Sequence, residues 1–417
     1  MNKISIALFA LLLSAGTSSY AAAYSIKQVS NQPIGNESPL INEQGDVVWV
    51  GTDATGASRI FLYNADTSTT TQLNSDHVMA YTYHINKKGD VVWVSYVATG
   101  QEAFLYQAKT KEVIQLTSGD FNPYDDGPQL SDNGDVVWTG PQGTSANVMR
   151  YDASTGITSA LLFTGATRQG YPRINGRGDV AWSATVGDHS QILLFKAADG
   201  SIADISNPGL DDYANQQIND RGDVLWNGSD GHDTEMYLYR GATKAVIQLT
   251  NNDFDDDYFQ LGSHGDAVWV GSPNNTHVIT LYRARAGASS DIATLPSYPS
   301  VFPQIDGRAD VVWRSIVGTD FISNLYDAAS KKTIELTKSQ GAGAYDLVLA
   351  DNGDVAWSLW DGSDFEVYTY QARNKDTTRL TKNSGDDGII SVNADGDLAF
   401  VHFNATDSQI MRALKRR

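Results

Sequence analysis

Residues Ile41-Asn42-Glu43-Gln44-Gly45-Asp46-Val47-Val48-Trp49-Val50-Gly51 carry a pattern that the chain states nine times. The Gly-Asp pair returns as Gly89-Asp90, Gly134-Asp135, Gly178-Asp179, Gly222-Asp223 and Gly265-Asp266, then as Ala309-Asp310, Gly353-Asp354 and Gly396-Asp397. An aromatic residue closes every copy: Trp49, Trp93, Trp138, Trp182, Trp226, Trp269, Trp313, Trp357 and finally Phe400. Successive copies are spaced about 44 residues apart, the length of a four-stranded propeller blade.

Each copy reads as four strands. A short first strand (Pro172-Arg173-Ile174, for instance) enters a tight turn where Asn42, Asn86, Asn175, Asn219 or Asn393 bonds its own backbone. Glycine three residues later takes the left-handed position, which Ala309 fills with strain in the seventh copy. The second strand, Asp46-Val47-Val48-Trp49-Val50, is apolar at consecutive positions, so both of its faces are buried between neighbouring sheets. A third strand such as Ile60-Phe61-Leu62-Tyr63 follows. The fourth, such as Val113-Ile114-Gln115-Leu116-Thr117, alternates as a half-exposed outer strand does. The repeats fill residues 24–417 and leave no room for a separate catalytic domain. The expected fold is all-β, one closed propeller of nine four-stranded blades.

The ends predict how the ring closes. The last copy stops at Arg417 without a fourth strand, and Ile26-Lys27-Gln28-Val29-Ser30 reads like a fourth strand without a repeat of its own. That segment is expected to complete the ninth blade and remove an open edge. Residues 1–23 read as a signal peptide: Lys3, an apolar run from Ile4 to Leu13, and Ala21-Ala22-Ala23 as the cleavage site. The expected location is therefore periplasmic or secreted. No segment approaches the roughly 20 apolar residues of a transmembrane helix.

The formal charge is −19, and it becomes −20 when Lys3 leaves with the leader. Such a balance works against nucleic acid and anionic membranes as partners. The absence of cysteine excludes thiol nucleophiles and thiolate metal sites. The seven histidines lack metal-binding spacing, and there is no Gly-x-Ser-x-Gly elbow.

The run Pro172-Arg173-Ile174-Asn175, then Gly178-Asp179-Val180-Ala181-Trp182, followed elsewhere by an apolar-Leu-Tyr strand and Gln-Leu-Thr, resembles the TolB-type propeller repeat. In that family the turn reads Ser-Pro-Asp-Gly where this chain has Asn-x-x-Gly. The resemblance spans residues 24–417. It implies a secreted bacterial propeller, in a group that includes protein-interaction modules, peptidase propeller domains and pectin-oligomer lyases. Fold alone does not choose among these.

Three sets of residues are candidates for chemistry. The repeated Asp is not one of them: a residue needed in every blade does a structural job in each. Nor is the repeated Trp, whose ring N–H is expected to meet a carbonyl. The first set is a collar on the channel-lining strand, formed by Leu40, His84, Gln129, Arg173, Gln217, Gln260, Gln304, Val348 and Ser391. His84 and Arg173 are its cationic or titratable members, and the alternative is that these side chains are tucked between blades. The second set is the acids of the loops on one face: Asp125, Asp126, Asp211, Asp212, Asp255, Asp256 and Asp257, with Asp230, Asp233, Asp361 and Asp364 nearby in the ring. Clustered carboxylates suit calcium, although acidic glycine-rich loops are also ordinary solvated turns. The third set is the aromatic residues interleaved with those acids, among them Tyr124, Tyr213 and Tyr258.

These features favour an exported, non-catalytic and monomeric binding module. It would present the acidic, aromatic loop face to a protein or a cell-envelope glycan, with no cofactor other than calcium. The competing expectation is a polysaccharide-acting lyase with His84 and Arg173 at the channel mouth.

Overall fold

The computed structural model describes residues 24–416 apart from 32–33, 54, 99, 120–126, 141–145, 207–210, 214 and 341–345. Within these residues the chain forms nine four-stranded antiparallel sheets and no helix. It is a nine-bladed β-propeller. Residues 1–23, expected to be a signal peptide, and the candidates Tyr124, Asp125 and Asp126 lie outside the described residues.

Blade 1 consists of Ile34–Ile41, Val47–Thr52, Ser58–Asn64 and Thr69–Gln72, and the later blades repeat this order. Its tight turn forms as the sequence predicts. The Asn42 Oδ1 accepts from the amides of Gln44 (3.1 Å) and Asp46 (2.8 Å), and Gly45 adopts φ +78°. Ala309 takes the same left-handed conformation at φ +65° despite its Cβ.

The repeated Asp is a brace. In all nine blades its Oδ1 accepts the backbone N–H at the end of the third strand, at 2.6–3.0 Å, from Ala65 in blade 1 to Lys415 in blade 9. The turn Asn reaches further. The Nδ2 of Asn42 donates to the carbonyl of Asn86, that of Asn86 to Ser131, that of Asn175 to Asn219 and that of Asn219 to Gly262, all at 3.0–3.1 Å. These bonds lace each blade to the next on one face of the ring.

Among the described residues the apolar core is divided between the blades. Nine apolar clusters each sit between two adjacent blades. Trp49 faces blade 9 beside Val401 and Ile410, whereas Val48 and Val50 face blade 2 beside Trp93. That two-sided burial explains the unbroken apolar second strand. The tryptophans stack on third-strand rings, as Trp49 does on Phe61 at 5.8 Å and Trp226 on Tyr237 at 5.9 Å.

One expectation needs correction. Four tryptophan N–H groups meet side-chain oxygens rather than backbone carbonyls: Trp49 meets Asn36, Trp93 Ser95, Trp182 Gln169 and Trp226 Asp212, at 2.8–3.0 Å. The backbone carbonyls near these rings are already spent on the sheet ladders, so a buried polar side chain supplies the acceptor.

The ring closes through the N-terminal segment. Tyr24–Gln28 pairs antiparallel with Ser408–Lys415 as the outer strand of blade 9, and the Val29 amide bonds the carbonyl of Ile410 at 2.9 Å. The Tyr24 ring is buried, and its hydroxyl donates to the carbonyl of Gly396 at 3.1 Å.

Candidate functional site

The first strand of a blade does not run straight to the channel. In several blades its pairing with the second strand breaks register just before the collar position, between Glu37 and Leu40, Gly170 and Arg173, Asp257 and Gln260, and Gly388 and Ser391. At these bulges Ser38, Tyr171, Tyr258 and Ile389 adopt positive φ, between 50° and 55°. Such conformations cost non-glycine residues free energy and persist only when surrounding structure imposes them. At two of these bulges the side chains, Tyr258 and Ile389, are exposed.

Below the bulge, the collar glutamines are tied to backbone. Gln217 donates to the carbonyl of Phe259 at 2.9 Å and accepts from the amide of Leu261 at 2.9 Å, bridging blades 5 and 6. Gln304 makes the same pair with Leu347 and Leu349 across blades 7 and 8, at 2.7 and 3.1 Å. Gln260 accepts from the Ile305 amide at 2.6 Å. These three amides act as inter-blade clamps. Gln129 is half-buried on its two-residue strand.

His84 and Arg173 also project from this layer, two blades apart. Burial holds the His84 imidazole below its usual pKa, and the charge of Arg173 lowers it further. The Arg173 guanidinium contacts the carbonyl of Pro172 at 3.3 Å.

The loop face holds every exposed Tyr, Phe and Trp ring among the described residues: Tyr96, Tyr213, Tyr258, Tyr298, Phe302 and Trp360. All six lie where second strands end, in the loops that lead from fourth to first strands, or at the start of first strands. Four rings of blades 6 and 7 form one platform. Tyr258 stacks parallel on Phe302 at 3.9 Å and meets the edge of Tyr298 at 5.5 Å, and His277 stacks on Tyr298 at 3.7 Å. A cavity of about 320 Å³ opens beside the platform, lined by Asn215, Gln217, Asp257, Tyr258 and Phe259.

The paired acids divide by position. Asp211 and Asp255, the first of each pair, accept backbone amides of the preceding blade, from Ser190 at 2.9 Å and from Thr234 at 3.1 Å. Asp212 and Asp256, the second, are buried: Asp212 accepts from Trp226 and Asp256 from Asn252 at 2.8 Å. Burial pushes the Asp256 carboxyl up to about 7. Asp257 accepts from Asn227 at 2.6 Å, and burial followed by the charge of Asp255 raises its pKa. Each of these acids thus has a latching contact of its own.

Sequence reasoning missed the polar groups of third strands and of late first strands. Glu102, Glu235 and Glu366 are wholly buried at one repeat position and accept the amides of Gly119, Asn252 and Asn383. The signal was there, a glutamate in an otherwise apolar strand of blades 2, 5 and 8. Asp387, also buried, pairs with His402 at 2.8 Å. Asp346 packs against Arg314, whose guanidinium donates to the Asp346 carbonyl at 2.7 Å.

No family model matches the sequence, and no curated protein does. Solved structures match by fold. A eukaryotic initiation factor structure is 10% identical with a TM-score of 0.59, covering 92% of this chain and 93% of its own. A dipeptidyl peptidase 4 from Porphyromonas gingivalis is 11% identical with a TM-score of 0.56, covering 90% of this chain and 65% of that one. The chain thus spans less than two thirds of the peptidases it matches. An oligogalacturonate lyase from Vibrio parahaemolyticus has 10% identity, 93% coverage of both chains and a TM-score of 0.44, too low to argue from. At these identities the likeness is one of fold, and the TolB-type resemblance goes no further than the propeller.

Proposed function

We propose that this propeller is an exported binding module whose loop face grips a protein or a cell-envelope glycan. The observation that carries this reading is the segregation of all six exposed Tyr, Phe and Trp rings among the described residues to that face, with three of them and His277 already stacked into a platform. Pre-stacked tyrosine and phenylalanine offer contact area at little entropic cost, and such rings dominate binding energy at interfaces. The acids beside them set the sign of the partner, which is neutral or cationic where it meets the loops. The collar glutamines supply rigidity rather than recognition, because their amides are committed to backbone.

The test is a pull-down from an envelope fraction, split into protein and polysaccharide pools, with wild type and with Tyr258→Ala/Phe302→Ala. Retention of one pool by wild type and its loss by the double variant supports the reading. Equal retention by both proteins ends it.

The lyase reading rests on one observation, a buried His84 whose pKa is lowered by burial first and then by the charge of Arg173, both on the collar layer. A lyase needs that pairing of base and carboxylate-neutralising cation. Absorbance from unsaturated product on acidic polysaccharides, abolished in His84→Ala, would favour it over binding.

A further inference from the structure

Blades 5 and 8 share the segment Asp-Gly-x-Asp-x-Glu at the turn between second and third strands: Asp230-Gly231-His232-Asp233-Thr234-Glu235 and Asp361-Gly362-Ser363-Asp364-Phe365-Glu366. In each, one carboxylate oxygen from the two Asp and the Glu lies within 4.8 Å of the others. Three carboxylates that close repel one another unless a cation sits among them.

Blade 8 brings its own cation. Arg379, on the fourth strand opposite Tyr368, places Nη2 2.7 Å from Asp361 and 2.6 Å from Glu366. Asp364 is satisfied by the amide of Gly385 at 3.0 Å and the hydroxyl of Ser363 at 3.1 Å.

Blade 5 has no arginine or lysine at that position of its fourth strand. The residue in the register of Arg379 is Gln248, opposite Tyr237. Glu235 is wholly buried, and its Oε1 accepts from the Asn252 amide at 2.7 Å. Both oxygens of Asp233 are buried without any hydrogen bond. Burial, and then the charges of Asp230, Asp255 and Asp253, raise the pKa of Asp233. Unsatisfied buried carboxylate oxygens aimed into an acidic cluster are costly without a partner.

We propose that Asp230, Asp233 and Glu235 form a calcium site, in which the ion takes the place that the Arg379 guanidinium occupies in blade 8. An all-oxygen set on an irregular loop suits calcium, which accepts six to eight oxygens in flexible geometry, better than magnesium, which demands a near-ideal octahedron. The ion would also pin the loop before Tyr258, since Glu235 and Asp255 already tie that loop to blade 5. The site is distinct from the latching acids Asp211, Asp212, Asp256 and Asp257.

The test is calorimetric titration of the full chain with calcium chloride and separately with magnesium chloride, alongside thermal unfolding in calcium or in chelator. Three proteins are compared: wild type, Asp233→Asn and Gln248→Arg. Wild type is expected to bind one ion with Kd at or below about 1 mM and to unfold at a higher temperature with calcium. Gln248→Arg, which supplies the blade 8 cation from within, is expected to fold, to lose that binding, and to unfold in chelator no lower than wild type. Asp233→Asn should bind more than roughly tenfold more weakly. The proposal fails if wild type takes up no calcium, if Gln248→Arg and Asp233→Asn bind it as wild type does, or if magnesium alone binds.

Discussion

Asn393 donates its side-chain amide to the carbonyl of Asn42 at 3.0 Å, across 351 residues of sequence. It is the same bond that Asn42 makes to Asn86 and Asn175 to Asn219, so the lacing treats the seam between blades 9 and 1 like any other. Asn393→Ala removes a buried donor and also the acceptor of the Asp395 and Asp397 amides, while the Asn42 carbonyl keeps its bond from the Gly45 amide. We expect a loss of about 1–3 kcal/mol in urea unfolding, with a similar loss for Asn175→Ala. A much larger loss at the seam alone would show that the closing blade carries stability the others do not.

The outer strand of the closing blade is a second test of the seam. Tyr24→Ala empties a buried ring position and deletes the bond to Gly396, and we expect a cost of about 3–5 kcal/mol. Deleting residues 24–30 exposes the edge of Ser408–Lys415 and should promote self-association as well as instability. Light scattering after gentle heating would show this, and a monodisperse, equally stable truncation would contradict it.

Asp306 stands where blades 1, 2, 4, 5 and 9 have the turn Asn. Its Oδ1 still accepts from the amides of Arg308 and Asp310, at 2.9 and 2.7 Å, but its Oδ2 cannot donate as the Asn amide does. Burial first, then the charge of Asp310, raises its pKa to about 6, above the ordinary 3.8. Between about pH 3.8 and about pH 6 the folded state therefore holds a proton that the unfolded chain releases. This contribution is fully present below about pH 3.8 and is lost as pH rises through about 6. Asp306→Asn should be more stable than wild type at pH 7.5, by on the order of 2 kcal/mol, with the gain shrinking towards pH 4. Unfolding curves across that range check it, and a pH-independent difference would refute the assignment.

The aromatic platform should be dispensable for folding. Tyr258 and Phe302 are 47% and 40% exposed, so replacing both with Ala should cost less than about 2 kcal/mol. Replacing Trp226, fully buried between blades 4 and 5, should cost about 3–5 kcal/mol. Loss of partner binding in the first variant with a near-native unfolding midpoint would separate recognition from stability.

The sequence by itself determined the architecture. Nine copies of the Gly-Asp-Val-Val-Trp pattern at one spacing fixed blade number, strand order and the two-sided burial of second strands, because each of these is a local periodicity. The orphan segment from Ile26 to Ser30 even revealed the closure, since only a strand missing from one repeat could belong there. Only the tertiary structure decided what the individual polar residues do. Gln217 and Gln304 look like a channel collar in sequence, yet their amides reach backbone groups of the next blade, which no pattern within one repeat specifies. Asp211 and Asp212 look alike, but alternation along the strand sends one to the surface and buries the other against Trp226. The Asp230, Asp233 and Glu235 cluster lacks the cation of its blade 8 twin because Gln248 stands in the place of Arg379, on a strand that the fold brings opposite. Local repetition is written in one blade at a time, whereas a site is made between strands and between blades, where packing rather than spacing chooses the neighbours.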